Sequence, residues 1–194
     1  MKNEKLNEKL SWADHTEFVR KKVNRRLGVL SRIKHFLPFY AHNLFVNTMV
    51  LPFLDYCDIV WGDRNNKLLM DSIQVLQKRA AKIVLNRPVY SSSTQALLDL
   101  KWKELHVRWR IHRLVYVFKC LNGPLDHNYN FTTNSSVHNY QTRHANDLRI
   151  NRSWCGKGQL CSSHFLFKEW NEIPSDIRNS ESAGIFKNTL HCLM

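Results

Sequence analysis

Apolar residues recur at spacings of three and four along much of the chain, the period of helices that each bury one face. Val19, Val23, Leu27, Leu30, Ile33 and Leu37 form the first such stripe, with Lys21, Arg25 and Arg32 on the opposite side of the helical wheel. Ser11 stands in N-cap position with Asp14 three residues on, and Pro38 cannot continue the helix. A second helix is predicted from Ala41 to about Leu51, ended or kinked by Pro52 and followed by the apolar run Phe53, Leu54, Tyr56, Ile59, Val60, Trp61. After a turn over Gly62–Asn66, with Asn66 as a cap, a third stripe (Leu69, Ile73, Leu76, Ala80, Ile83) is closed by Pro88. Ser93 is the expected cap of a short helix through Leu100. A fourth long helix, from Lys103 to Leu121, carries Val107, Ile111, Leu114, Phe118 and Leu121, and Asn122-Gly123-Pro124 stops it.

Beyond Pro124 the pattern changes. Asp126 to Ser163 is rich in Asn, Ser, Thr and His and reads as loop, with one short strand near Asp147–Asn151. Helical patterning returns at Phe165, Phe167, Trp170 and Ile173, and again at Ile185, Phe186 and Leu190. The expected fold is mostly α. It comprises a frayed N-terminus (1–10), a helical bundle (11–124), a polar loop region (125–163) and a short C-terminal helical segment (164–194).

Charge alters this picture more than composition does. The hydrophobic fraction of 43% supports a packed core, but 29 Lys and Arg against 16 Asp and Glu give a net charge of +13, which favours polyanionic partners. The cations are also segregated. No acid interrupts the interval from Glu17 to Asp55, which holds Arg20, Lys21, Lys22, Arg25, Arg26, Arg32 and Lys34. Lys78, Arg79, Lys82 and Arg87 lie in a second acid-free interval, and Arg108, Arg110, Arg113 and Lys119 in a third. Solvated helix faces usually mix signs, because opposite charges four residues apart support the helix. A phosphate backbone would relieve the repulsion within such runs. The expected contacts are Arg20, Lys21, Lys22, Arg25, Arg26, Arg32, Lys34, Lys78 and Lys82, with Lys21, Arg25, Arg32, Lys78 and Lys82 foremost.

Other chemistry is thin. There is no glycine-rich phosphate loop, no nucleophile elbow and no His-Glu-x-x-His helix. Asp55 and Asp58 form the best local carboxylate pair, but they sit in an apolar run and read as structural. Cys155 and Cys161, with His164, are too widely spaced to read as a zinc site, so no metal and no cofactor is expected. Five cysteines without paired spacing suggest free thiols. No stretch reaches the ~20 apolar residues of a membrane span, and Met1 to Leu10 lacks a secretory core, so an intracellular, nuclear or cytoplasmic protein without a membrane partner is expected.

Several motifs together resemble one family. Leu10–His15 (LSWADH) followed by Val19–Leu30 (VRKKVNRRLGVL) is similar to the segment just after the polymerase palm in non-LTR (LINE-type, jockey-like) retrotransposon reverse transcriptases. Val50–Gly62 (VLPFLDYCDIVWG), Leu76–Ile83 (LQKRAAKI), Ser91 to Leu100, Trp102, Tyr116 to Gly123, Thr142-Arg143, Trp170–Arg178 (WNEIPSDIR) and Phe186-Lys187 follow in the family's order.

The resemblance implies the thumb and C-terminal extension of an RNA-directed DNA polymerase. Its partners would be template–primer RNA and DNA and the polymerase's palm and fingers. It assigns the catalytic Tyr/Phe-Ala-Asp-Asp turn and its magnesium ions to the palm, and that turn has no counterpart in this sequence. The chain is therefore expected to be no enzyme by itself. It also makes Trp102 and Trp170 core anchors. Rival readings are a non-functional remnant of a transposable element and a helical module that docks on an acidic protein.

Overall fold

The computed structural model describes residues 12–61, 67–123, 131–137, 142–150, 152 and 162–194. The chain is mostly α, as the stripes predict. It divides into two compact units, 1–108 and 109–194.

In the first unit, α1 (Ala13–Ile33) buries Val19, Val23, Leu27 and Leu30 of the predicted stripe, while Ile33 is half-buried and Leu37, also half-buried, lies beyond the helix. A single 3-10 turn (Lys34–Phe36) follows, then extended Leu37 and Pro38, which leads into α2 (Phe39–Met49). Ser11 lies outside the described residues. Trp12 occupies the N-cap position of α1 and makes no side-chain capping bond. The run after Pro52 is two short helices, α3 (Leu51–Asp55) and α4 (Asp58–Trp61), separated by Cys57 in the left-handed region. Pro52 sits in the first turn of α3, where its missing N–H has no helical partner to lose. The turn over 62–66, including Asn66, lies outside the described residues.

The third stripe is α5 (Lys67–Val84), which packs on α1, α2 and α6 (Ser93–Asp99). It ends before Pro88 does any work. Asn86 takes φ 52°, while the N–H groups of Asn86 and Arg87 reach back to Ile83 O and Lys82 O at 3.1 and 2.8 Å. That is a Schellman cap. The cap at the start of α6 is Ser92, which accepts from Gln95 N at 3.3 Å, one residue before the expected Ser93. In a run of three serines only backbone geometry separates the choices. A second Schellman cap closes α6, with Lys101 at φ 54° and Trp102 N donating to Leu97 O at 2.9 Å. Trp102 also packs on Ala81, Ala96 and Leu97, which makes it the core anchor expected. The His42 ring lies between the carbonyls of Lys34 (2.8 Å) and Val84 (3.3 Å), joining α2 to the ends of α1 and α5.

The long helix α7 (Leu105–Asn122) contributes its first turn to the first unit and the remainder to the second, so the division by packing falls inside the helix and not at its terminal stop. In the second unit α7 buries Trp109, Ile111, Leu114, Val117 and Phe118, whereas Leu121 is exposed. Phe186, on α10 (Ala183–Leu193), stacks on Phe118 with centroids 4.6 Å apart and lies 5.8 Å from the ring of Trp170, on α8 (Ser162–Asn171). The one-turn helix α9 (Ser175–Arg178) lies between α8 and α10 in the chain.

Much of the polar stretch expected to be loop falls outside the described residues, but 131–137 and 142–150 are joined by backbone bonds, Asn134 N to Asp147 O at 3.0 Å and Ser135 N to Ala145 O at 2.8 Å. Asn171 clamps Leu148 by both backbone groups (2.9 and 2.8 Å), and Asp147 accepts from Arg178 at 2.8 Å. The strand expected near Asp147 reduces, among the described residues, to one antiparallel bridge between Thr133 and Leu148. Side-chain clamps replace the ladder there.

Candidate nucleic-acid interface

All nine expected contact residues belong to the first unit, and their surroundings sort them into three kinds. Some are paired locally. Glu17 lies 3.0 Å from Arg20 and 3.7 Å from Lys21, one helical turn away. Such exposed pairs contribute only ~0.3–0.5 kcal/mol, so a phosphate can displace them cheaply.

Others are used in packing. The Arg26 guanidinium lies 4.0 Å from the centre of the Phe53 ring and donates to Lys22 O at 3.2 Å. The Lys22 ammonium sits 5.4 Å from the centre of the Phe18 ring. On α5, Lys78 is 3.7 Å from Glu104, and Lys82 donates to Val89 O at 2.6 Å. The segment carrying Glu104 is itself tied to α5, because Gln77 donates to Lys103 O and Gln74 accepts from Leu105 N, both at 2.9 Å. Lys78 and Lys82 thus face the 89–104 side of α5, while Arg79 reaches α1 by donating to Asn24 Oδ1 at 2.9 Å. The α5 lysines therefore point to a different side of α5 from Arg79, which meets α1.

The third kind is Arg25, Arg32 and Lys34, which meet no acid among the described residues. Arg25 and Arg32 are exposed and two helical turns apart, hence on one face. With Lys21 they span about 16 Å of helix, the rise of ~5 nucleotides along one strand. Gly28 lies between them, and a Cβ added there would meet nothing within 4 Å. No neighbouring part of the chain among the described residues covers this face at its middle.

The third basic interval behaves differently. Arg108 forms a two-pronged pair with Asp55 (2.6–3.0 Å). Arg110 meets Glu172 at 2.8 Å, and Arg113 forms a fully buried fork with Glu169 at 2.8 Å. These arginines hold structure together. Asp55 thus anchors Arg108.

Two features escaped sequence reasoning. Arg79 keeps its charge exposed beside α1, because its partner Asn24 is neutral. Phe36, Phe39 and Tyr40 stand out from the corner after α1, next to Arg32, Lys34 and His35. The run from Lys34 to Tyr40, crowded with aromatic and basic residues around Pro38, was the available signal.

Cys120 and Cys192 are free thiols, and burial pushes the Cys120 thiol up. Cys155 and Cys161 lie outside the described residues. No helix among the described residues is long and apolar enough to cross a membrane. Comparison with family models, curated proteins and solved structures finds no match to the chain.

Proposed function

We propose that the chain is the thumb-like, nucleic-acid-gripping part of a non-LTR-type RNA-directed DNA polymerase, without catalytic residues of its own. The motif order from Leu10 to Lys187 supports the family reading, and the mostly helical fold is compatible with a thumb. The observation that carries the binding reading is the exposed, acid-free pair Arg25 and Arg32 on one face of α1.

In this reading Lys21, Arg25 and Arg32 lie along the sugar–phosphate backbone of template–primer RNA and DNA. They fix its position without reading bases, since phosphate contacts carry no sequence information directly. Arg79 and Lys34 extend the grip, and Lys78 and Lys82 are secondary. Magnesium and the chemical step belong to a palm partner.

The test is a low-salt filter-binding titration of K21E/R25E/R32E against an RNA–DNA hybrid. Binding is abolished while circular dichroism shows helicity retained. Unchanged affinity would contradict the assignment.

A further inference from the structure

The corner joining α1 to α2 carries three aromatic rings that the fold leaves in solvent. Phe36 is 86% exposed, Phe39 56% and Tyr40 71%. The backbone beneath them is fixed. Leu37 N donates to Lys34 O at 3.3 Å, Ala41 N donates to Pro38 O at 3.0 Å, and the His42 ring contacts Lys34 O at 2.8 Å. Three exposed rings within five residues, at a corner held by hydrogen bonds, are apolar surface of a kind that soluble proteins seldom leave without a use.

The charge around the patch indicates its occupant. Arg32, Lys34 and His35 immediately precede it, and no acid occurs anywhere between Glu17 and Asp55. Rings beside cations, in a stretch of chain without acids, match a strand whose bases are unpaired. Every nucleotide offers a base π-face to stack and a phosphate to neutralise. A duplex hides those faces within its own stack.

We infer that Phe36, Phe39 and Tyr40 form a stacking platform for unpaired bases, so that the corner holds a single strand where it leaves the duplex gripped by α1. This rests on the nucleic-acid reading above and adds the strand form recognised.

The experiment compares the full chain with F36A/F39A/Y40A, whose replaced rings lie outside the core. Fluorescence anisotropy measures binding to a single-stranded oligonucleotide and to a blunt duplex, each across a salt series. A 2-aminopurine in the single strand reports stacking by loss of its emission. Removing one ring should weaken single-strand binding by ~5-fold or more and the triple variant by about 100-fold, in line with base–aromatic stacking. Duplex affinity should stay within about 2-fold and the salt slope should be unchanged, because the phosphate contacts remain. The wild-type chain should quench 2-aminopurine and the triple variant should not.

Equal losses on both nucleic acids, or none on either, would overturn the platform while leaving the phosphate grip standing. So would ring-dependent pelleting with anionic phosphatidylserine vesicles at unchanged single-strand affinity, which would make the patch a membrane contact. A wild-type chain that binds neither strand form would overturn both readings.

Discussion

Arg108 reaches Asp55 through two roughly parallel bonds, Nε to Oδ1 at 2.8 Å and Nη2 to Oδ2 at 2.6 Å, between residues 53 apart in sequence. A forked guanidinium–carboxylate pair is geometrically specific and charge-assisted. It separates a cation that builds the fold from one that is free to bind. Arg108→Ala should destabilise the chain by about 1–3 kcal/mol in urea unfolding and leave nucleic-acid affinity nearly unchanged. Arg25→Ala should do the reverse. A variant at 108 that folds normally yet loses binding would blur this distinction.

The second unit contains a stronger version of the same pair. Arg113 and Glu169 are almost completely buried, with 2.8 Å contacts and the Phe165 ring 5.5 Å from the guanidinium. Removing one partner breaks a buried, charge-assisted pair, so Glu169→Leu should cost ~3–5 kcal/mol. Arg113→Met combined with Glu169→Leu should recover most of that loss. Thermal melts of the two singles and the double provide the cycle, and additive losses would show that the pair is not coupled.

These pairs mark the limit of what sequence reading could reach. The stripes of α1, α5, α7 and α10 were legible because helical neighbours are three or four residues apart. The acid-free interval from Arg108 to Lys119 was legible as a pattern, but its meaning was not. Its neutralising partners Asp55, Glu172 and Glu169 lie 53, 62 and 56 residues away. The same limit hid the partner of Lys78, since Glu104 arrives through the Gln74–Gln77 contacts with the 103–105 segment. Arg25 and Arg32 were legible because their neighbours along α1 decide their exposure.

Lys101 is a non-glycine residue at φ 54°, in the left-handed position of the cap that ends α6. A Cβ is disfavoured there, whereas glycine is not. Lys101→Gly should therefore stabilise the chain by up to ~1 kcal/mol, read as a higher urea midpoint at constant slope. A lower midpoint would mean that the lysine side chain contributes more than its backbone costs.

Asp99 should give stability an acid limb. A hydrogen bond from Gln95 and the adjacent Arg87 guanidinium hold its carboxyl below the ordinary 3.8, outweighing a smaller opposing effect of burial. Because the folded value is the lower one, the stabilisation is present above the unfolded value and is lost as pH falls through the folded one. Melting temperatures followed from about pH 5 down to about pH 2 should fall less steeply for Asp99→Asn than for the wild-type chain. Identical profiles would remove Asp99 from the account.

The face of α1 can be tested without reference to any polymerase activity. Each phosphate neutralised on a duplex contributes about −0.9 to the slope of log K against log salt. The duplex affinities of the wild-type chain and of R25A/R32A, measured across a salt series, should differ in slope by about 1.8, with the variant shallower and its unfolding unchanged. Equal slopes would mean that these two arginines touch no phosphate, and the cationic face of α1 would lose its assigned role.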